Sequence, residues 1–150
     1  MQAVNVLLIQ GANLDRLGTR QTEIYGTTTA AQLDEMLLEN AGNRGVNLTI
    51  FYTNDEQEAV QRVDEASRED VQAIMMNPGG FTDTAHDLKA RVRTLDIPYF
   101  EVHLSNVEAR KIESLMAEDA TGIVMGFGID SYFAGLEGVV RLLKRERVNR

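Results

Sequence analysis

The sequence predicts a three-layer α/β fold, a parallel sheet covered by helices on both faces. Two observations carry this expectation. Short apolar runs alternate with segments of helical periodicity from end to end. The runs are also nearly continuous in apolar residues, the pattern of strands buried on both sides. Residues 3–9 (AVNVLLI) form the first strand, and residues 29–41 the first helix, with Leu33, Met36, Leu37 and Ala41 at helical spacing. Residues 46–52 are a second strand, and residues 55–67 (DEQEAVQRVDEAS) a second helix opened by acidic side chains. Residues 71–76 (VQAIMM) make a third strand, stopped by Asn77-Pro78-Gly79-Gly80, and residues 83–94 a third helix. A fourth strand at 98–104, a short helix at 107–117, a fifth strand at 122–127 and a last helix at 131–148 complete the alternation. No composition break, repeat or low-complexity segment divides residues 1–150, which read as a single domain.

With five strands in this alternation, the expected arrangement is the flavodoxin-like order 2-1-3-4-5. The ligand crevice of such a sheet lies where strands 1 and 3 diverge at their C-terminal ends. Three segments meet there: residues 10–28, 77–83 and 101–106, the parts of the chain richest in Asn, Arg, Tyr, His and Ser.

Composition narrows the function. A hydrophobic content of 43% with 25% charged residues suits a globular domain. No apolar run reaches the roughly 18 residues of a membrane span. The opening MQAVNVLL reads as a first strand rather than a signal peptide, so a cytoplasmic protein is expected. The absence of cysteine removes disulfides, thiolate zinc sites and cysteine nucleophiles, and two histidines leave little for any metal site. A net charge of −8 argues against nucleic acid as a partner, and the C-terminal LLKRERVNR reads as a solvated helix end.

The crevice segments contain Asn13, Arg20, Tyr25, Asn77, Glu101, His103, Ser105 and Arg110. They lack the Gly-Lys-Ser/Thr of a phosphate loop, and GFGID after the fifth strand reads as a tight turn. Tyrosine, with an ordinary pKa near ~10, is a poor base at neutral pH unless a cation stabilises the phenolate. A Tyr beside an Arg therefore suits removal of a weakly acidic proton, such as one α to a carbonyl. His103 can serve as an acid, and Glu101 shares its face of the fourth strand because strand side chains alternate. Singly, each residue has an ordinary reading: Tyr25 as a loop anchor, His103 as a core histidine, Asn77–Gly80 as a turn, Arg20 in solvent.

The strings GANLDRLGTRQTEIYG, NPGGFTDT, IPYFEVHLSNVEAR and ATGIVMGFGIDSYFAGL resemble the type II 3-dehydroquinate dehydratases, in order along nearly the whole chain. The combination NLxxLGTR…EIYG with EVHLSN…AR is highly specific. The resemblance implies a flavodoxin-like enzyme assembled as a dodecamer, a tetramer of trimers. It implies a lyase that dehydrates 3-dehydroquinate to 3-dehydroshikimate through an enolate, without metal, imine or cofactor. Tyr25 would be the base, Arg20 on a mobile lid would hold it as phenolate, and Asn13 would position a water on the enolate. His103, oriented by Glu101, would protonate the departing hydroxyl. Asn77, Ser105 and the backbone at Leu104 would bind the substrate carboxylate, with Gly79, Gly80, Asp83, Arg110 and Ser114 at further substrate-contacting positions.

The departures cluster at one end of that site. The family's Asn-Gly-Pro-Asn-Leu is Gln10-Gly11-Ala12-Asn13-Leu14 here, and its Thr-His-Thr is Thr82-Asp83-Thr84. An aspartate lent to the neighbouring subunit is Ala90, and an arginine after the Ala-Arg pair is Ser114. These three positions recognise ring hydroxyls in the family. Their loss weakens dehydroquinate binding unless Lys111, His86 or Asp87 compensates. Two alternatives accompany the main reading: a divergent dehydratase for another cyclic β-hydroxy ketone carboxylate, and a non-catalytic small-molecule binder.

Overall fold

A computed structural model describes residues 3–148, so Met1, Gln2 and the end of the basic C-terminal run lie outside the described residues. Among these residues five strands form one sheet: β1 (Val4–Ala12), β2 (Val46–Tyr52), β3 (Ala73–Gly79), β4 (Tyr99–His103) and β5 (Gly122–Met125). All pairings are parallel and the order is β2-β1-β3-β4-β5, as expected. The helices are α1 (Thr22–Tyr25), α2 (Ala30–Asn43), α3 (Glu56–Ala66), α4 (His86–Val92) and α5 (Asp130–Val148).

Strand alternation sorts the core into two layers. Val6 and Leu8 of β1 point to the side covered by Leu33 and Leu37 of α2 and by Leu136 and Val140 of α5. Leu7 and Ile9 point to the other side, against Ala59 and Val63 of α3 and Leu88 of α4. With both faces buried, β1 and β3 need apolar residues at nearly every position, which explains their continuous runs. Thr29 caps α2 by accepting from the Gln32 N–H at 3.2 Å, while the Gln32 side chain accepts from the Thr29 N–H at 3.0 Å. Asp55 caps α3 by accepting from the Gln57 N–H at 2.8 Å.

Several boundaries differ from those expected. Residues 77–79 do not stop the third strand, because β3 runs through Asn77 and Pro78 to Gly79. The Ile74 N–H faces β4, where it donates to the Pro98 carbonyl, so position 78 faces the same way. Pairing with β4 ends at Met76 opposite Glu101, so the missing N–H of Pro78 costs no ladder bond. The short helix expected at 107–117 is absent. Residues 107–112 form a compact turn closed by the Ile112 N–H on the Val107 carbonyl at 3.0 Å, with Lys111 at φ 61. The third helix starts at His86 rather than 83, and residues 10–28 hold a short 3-10 turn and the single-turn α1.

β1 and β3 approach closely just below the crevice. A Cβ on Gly11 would lie 2.0 Å from the Pro78 carbonyl oxygen, and one on Gly79, at φ 55, would lie 2.4 Å from the Ala12 carbonyl oxygen. Gly11→Ala therefore meets backbone rather than a side chain that could turn away. It is expected to lower stability by about 1–3 kcal/mol and to part the two strand ends. Urea denaturation would measure the loss, and an unchanged midpoint would show that the strands can separate freely.

Candidate active site

The C-terminal ends of β1, β3 and β4 surround a cavity of about 300 Å³, at the lower limit for small-ligand sites. After β1 the chain turns at Asn13 (φ 75), a left-handed position that asparagine tolerates. The Asn13 N–H donates to Asn54 Oδ1 at 2.8 Å, and Asn54 Nδ2 donates to Asp15 Oδ2 at 3.2 Å. Buried Leu14 and Leu17 then pin the loop to the core. Gly18, at φ 86, packs on the Thr27 and Thr28 carbonyls and closes the loop on itself. Residues 19–24 beyond that closure are exposed, and α1 presents Tyr25 at their end. The three non-glycine residues described with positive φ, Asn13, Gln21 and Lys111, all lie in loops around this cavity.

Beneath the floor, Gln10 and Asn77 are register partners across β1 and β3. Tyr132 of α5 joins them: Asn77 Nδ2 donates to its Oη, and Oη donates to Gln10 Oε1, both at 2.8 Å. Asn77 Oδ1 also accepts the Gly79 N–H at 3.1 Å, which holds the backbone before Gly80. Burial raises the Tyr132 hydroxyl's pKa, so it stays a donor. Gly80 lies under Asn13, where a Cβ would be 3.0 Å from Asn13 Nδ2.

β4 supplies a buried carboxylate–imidazole pair. Tyr99, Glu101 and His103 alternate onto one face of the strand, each at most 3% exposed. Glu101 Oε1 accepts the Tyr99 hydroxyl at 2.7 Å, and Oε2 accepts His103 Nε2 at 2.8 Å and the Ser114 hydroxyl at 2.7 Å. Burial acts to raise the Glu101 pKa, but hydrogen bonds from His103, Tyr99 and Ser114 outweigh it and leave the carboxyl below its ordinary value. Burial, then the Glu101 charge, holds the Tyr99 hydroxyl well above the usual phenol range. With Nε2 committed to Glu101, Nδ1 is the His103 nitrogen left for the cavity that the ring lines.

Tyr25 meets an arginine, and it is Arg110. Arg110 Nη1 donates to Tyr25 Oη and to Ser105 Oγ, each at 2.9 Å, with the guanidinium carbon 5.6 Å from the Tyr25 ring centroid. The guanidinium lies in hydrogen-bond contact with the phenol oxygen. The contact expected between Arg20 and Tyr25 is thus made by Arg110, while Arg20 lines the same cavity. The cavity also gathers Asn13, Asn77, Gly79, Gly80, Asp83, Leu104 and Ser105. Glu101 lies behind His103 rather than on the wall. Ser114, expected against substrate, is turned onto Glu101 because its loop leaves the cavity after Ile112. Neither Ala90 on α4 nor Lys111, His86 or Asp87 lines the cavity, and Asp87 is bonded to Gln57 of α3.

Sequence reasoning missed Arg16, a third arginine on the cavity, and Tyr99, the hydroxyl behind Glu101. Tyr99 was within reach of the alternation rule, which places it two residues before Glu101 on the same face. Arg16 carried no such signal, since only the fold of its loop turns it inward.

The Glu101 environment makes a stability prediction. A carboxyl whose folded pKa is depressed stabilises the fold fully above its unfolded value, and that stabilisation is lost as pH falls through the folded value. Glu101→Gln is expected to lower stability by about 1–3 kcal/mol at neutral pH, with a gap to the wild type that narrows on acidification. Urea unfolding of both proteins across that range checks it, and a gap that widens with acid would reverse the assignment.

A family model described as "Dehydroquinase class II" matches residues 4–140. A 3-dehydroquinate dehydratase of Prochlorococcus marinus is 39% identical over 147 residues, covering 96% of this chain and 100% of that protein. One from Thioalkalivibrio sulfidiphilus is 42% identical over 142 residues, covering 93% and 97%. The crystal structure of type II dehydroquinase from Propionibacterium acnes superposes with a TM-score of 0.88 at 27% identity, covering 93% of this chain and 98% of that one. With the matched segment reaching from the first strand into the last helix, the chain belongs to the class II dehydroquinase family.

Proposed function

We propose that the chain, as a single domain over residues 1–150, is a 3-dehydroquinate dehydratase, a hydro-lyase that forms 3-dehydroshikimate through an enolate. The observation that carries this reading is the charge of the cavity. In a chain of net charge −8, Arg16, Arg20 and Arg110 converge on one small pocket whose single lining carboxylate is Asp83. Such a site draws a small carboxylate, which fits the substrate in the names of its relatives.

In the proposed mechanism, the Tyr25 phenolate takes a proton from the carbon α to the ketone, and the electron pair moves onto the carbonyl oxygen as an enolate. Arg110 steadies the phenolate beforehand, and Asn13 faces the enolate through a water. Protonated His103 then gives its proton to the β-hydroxyl. The enolate collapses, the carbon–oxygen bond breaks, water leaves and the conjugated double bond forms. Tyr25 ends protonated and His103 neutral, so a proton passes between them before the next turnover. Arg20, on the exposed residues 19–24, closes over the substrate, while Asn77, Ser105 and the Leu104 backbone hold its carboxylate. No cofactor is used. The assembly is read as a dodecamer in the cytoplasm; association is supported by apolar surface at and beyond the β5 edge, where Ile123 is 41% and Phe127 is 68% exposed.

The direct test is an ultraviolet assay of the purified protein with 3-dehydroquinate, following the conjugated enone product. Turnover is expected. Tyr25→Phe should lower kcat by about 10²–10⁴-fold with ligand binding kept, and normal turnover by this variant would remove Tyr25 as the base. One observation favours a second reading. Asp83, which replaces the family's histidine, lines the cavity, and a carboxylate there prefers a hydrogen-bond donor or a cation. Absence of turnover in the folded wild type, with activity gained in Asp83→His, would assign the chain to a related cyclic β-hydroxy ketone carboxylate.

A further inference from the structure

We propose that Ser114 is a positioning residue for the acid: its hydroxyl, on Glu101 Oε2, fixes the carboxylate that orients His103. The geometry that supports this is local and complete. Glu101 is 1% exposed, and its acceptor bonds come from Tyr99, His103 and Ser114. Tyr99 holds Oε1, so without Ser114 the oxygen facing His103 would have the imidazole as its sole partner and could rotate with it. Ser114 and His103 share Oε2, which pins that oxygen from two directions.

Ser114 is itself held in place. The next residue, Leu115, donates its N–H to the Thr82 carbonyl at 2.9 Å and accepts from Lys89 Nζ at 2.6 Å, and Met116 beyond it is fully buried. On the other side lies the 107–112 turn, whose Arg110 reaches Tyr25. One short segment therefore delivers the cation beside the base and the hydroxyl behind the acid. The titrating groups that face Glu101 are Tyr99 and His103 from its own strand. Asp119 lies near enough to Tyr99 to disfavour its ionisation and is paired with Lys89 at 3.1 Å. The remaining donor, Ser114, does not titrate, so its loss changes the environment of Glu101 without adding a charge.

The kinetic arm of the test rests on the dehydration proposed above, whereas the titration arm needs no substrate. The chain has two histidines, so nuclear magnetic resonance of the His103 ring can be assigned against His86→Gln. In Ser114→Ala the low-pH inflection of the His103 signals, which reports Glu101 protonation, should move up by roughly several tenths of a pH unit. Ser114→Thr, which keeps the hydroxyl, should restore it. With 3-dehydroquinate, Ser114→Ala should lower kcat about three- to tenfold at unchanged KM. A raised KM at unchanged kcat would make Ser114 a substrate contact and overturn the proposal, as would an unmoved inflection. If the wild type does not turn over dehydroquinate, the proposed function fails and the titration alone decides the role of Ser114.

Discussion

A carboxylate buried in the middle of β4 would be driven neutral by burial alone, and Glu101 keeps its charge through three short hydrogen bonds. Burial alone would favour the neutral acid, which could not stabilise a protonated imidazole. The surrounding donors therefore decide whether His103 has an anionic partner. They come from different places: Tyr99 and His103 from strand alternation, Ser114 from the loop that follows the Arg110 turn. The packing of that loop against Thr82 and Met116 is thus part of the electrostatics of the site.

Tyr25, the proposed base, is organised by the same economy of parts. Tyr25 sits on a one-turn helix too short to be stable alone, placed by Leu14 and Leu17 in the core and by Gly18 against residues 27 and 28. Its cationic neighbour arrives from β4's following turn, across 85 residues of sequence. Lys111, at positive φ, follows Arg110 in the turn from which that guanidinium donates to Tyr25 and Ser105. The non-glycine positive-φ positions among the described residues, Asn13, Gln21 and Lys111, all lie in loops around the cavity.

What the sequence disclosed follows the range of the forces involved. The sheet order and the two-sided burial of β1 and β3 were legible because alternation of apolar runs is a local pattern that topology rules extend. The clustering of Asn13, Asn77 and His103 was legible for the same reason, since each lies at or near a strand's C-terminal end, and Tyr25 closes the loop that follows β1. Contacts between loops were not. Nothing in the composition of residues 107–117 distinguishes a helix from the turn observed, and Arg110 reaches Tyr25 only because it is a turn. Pro78 misled in the opposite sense: read as a stop, it lies in β3 where the pairing with β4 has already ended.

The replaced residues bear on how one scaffold can change its substrate without disturbing its chemistry. Glu101 and His103 are tied to the sheet through β4, and the cavity floor is tied to it through Asn77, Gln10 and Tyr132 across β1, β3 and α5. Asp83 belongs instead to the exposed connection before α4, where a substitution meets solvent rather than packed atoms. A change there alters which group the cavity prefers at modest cost to the fold, while a change at Gly11 or Glu101 strikes backbone contact or buried charge. Ser114 lies between these regimes, half-buried past the cavity-lining turn and bonded inward to Glu101. Where the family resemblance places an arginine, Ser114 puts a short donor on Glu101, so a change at this position reaches the buried carboxylate rather than the cavity wall.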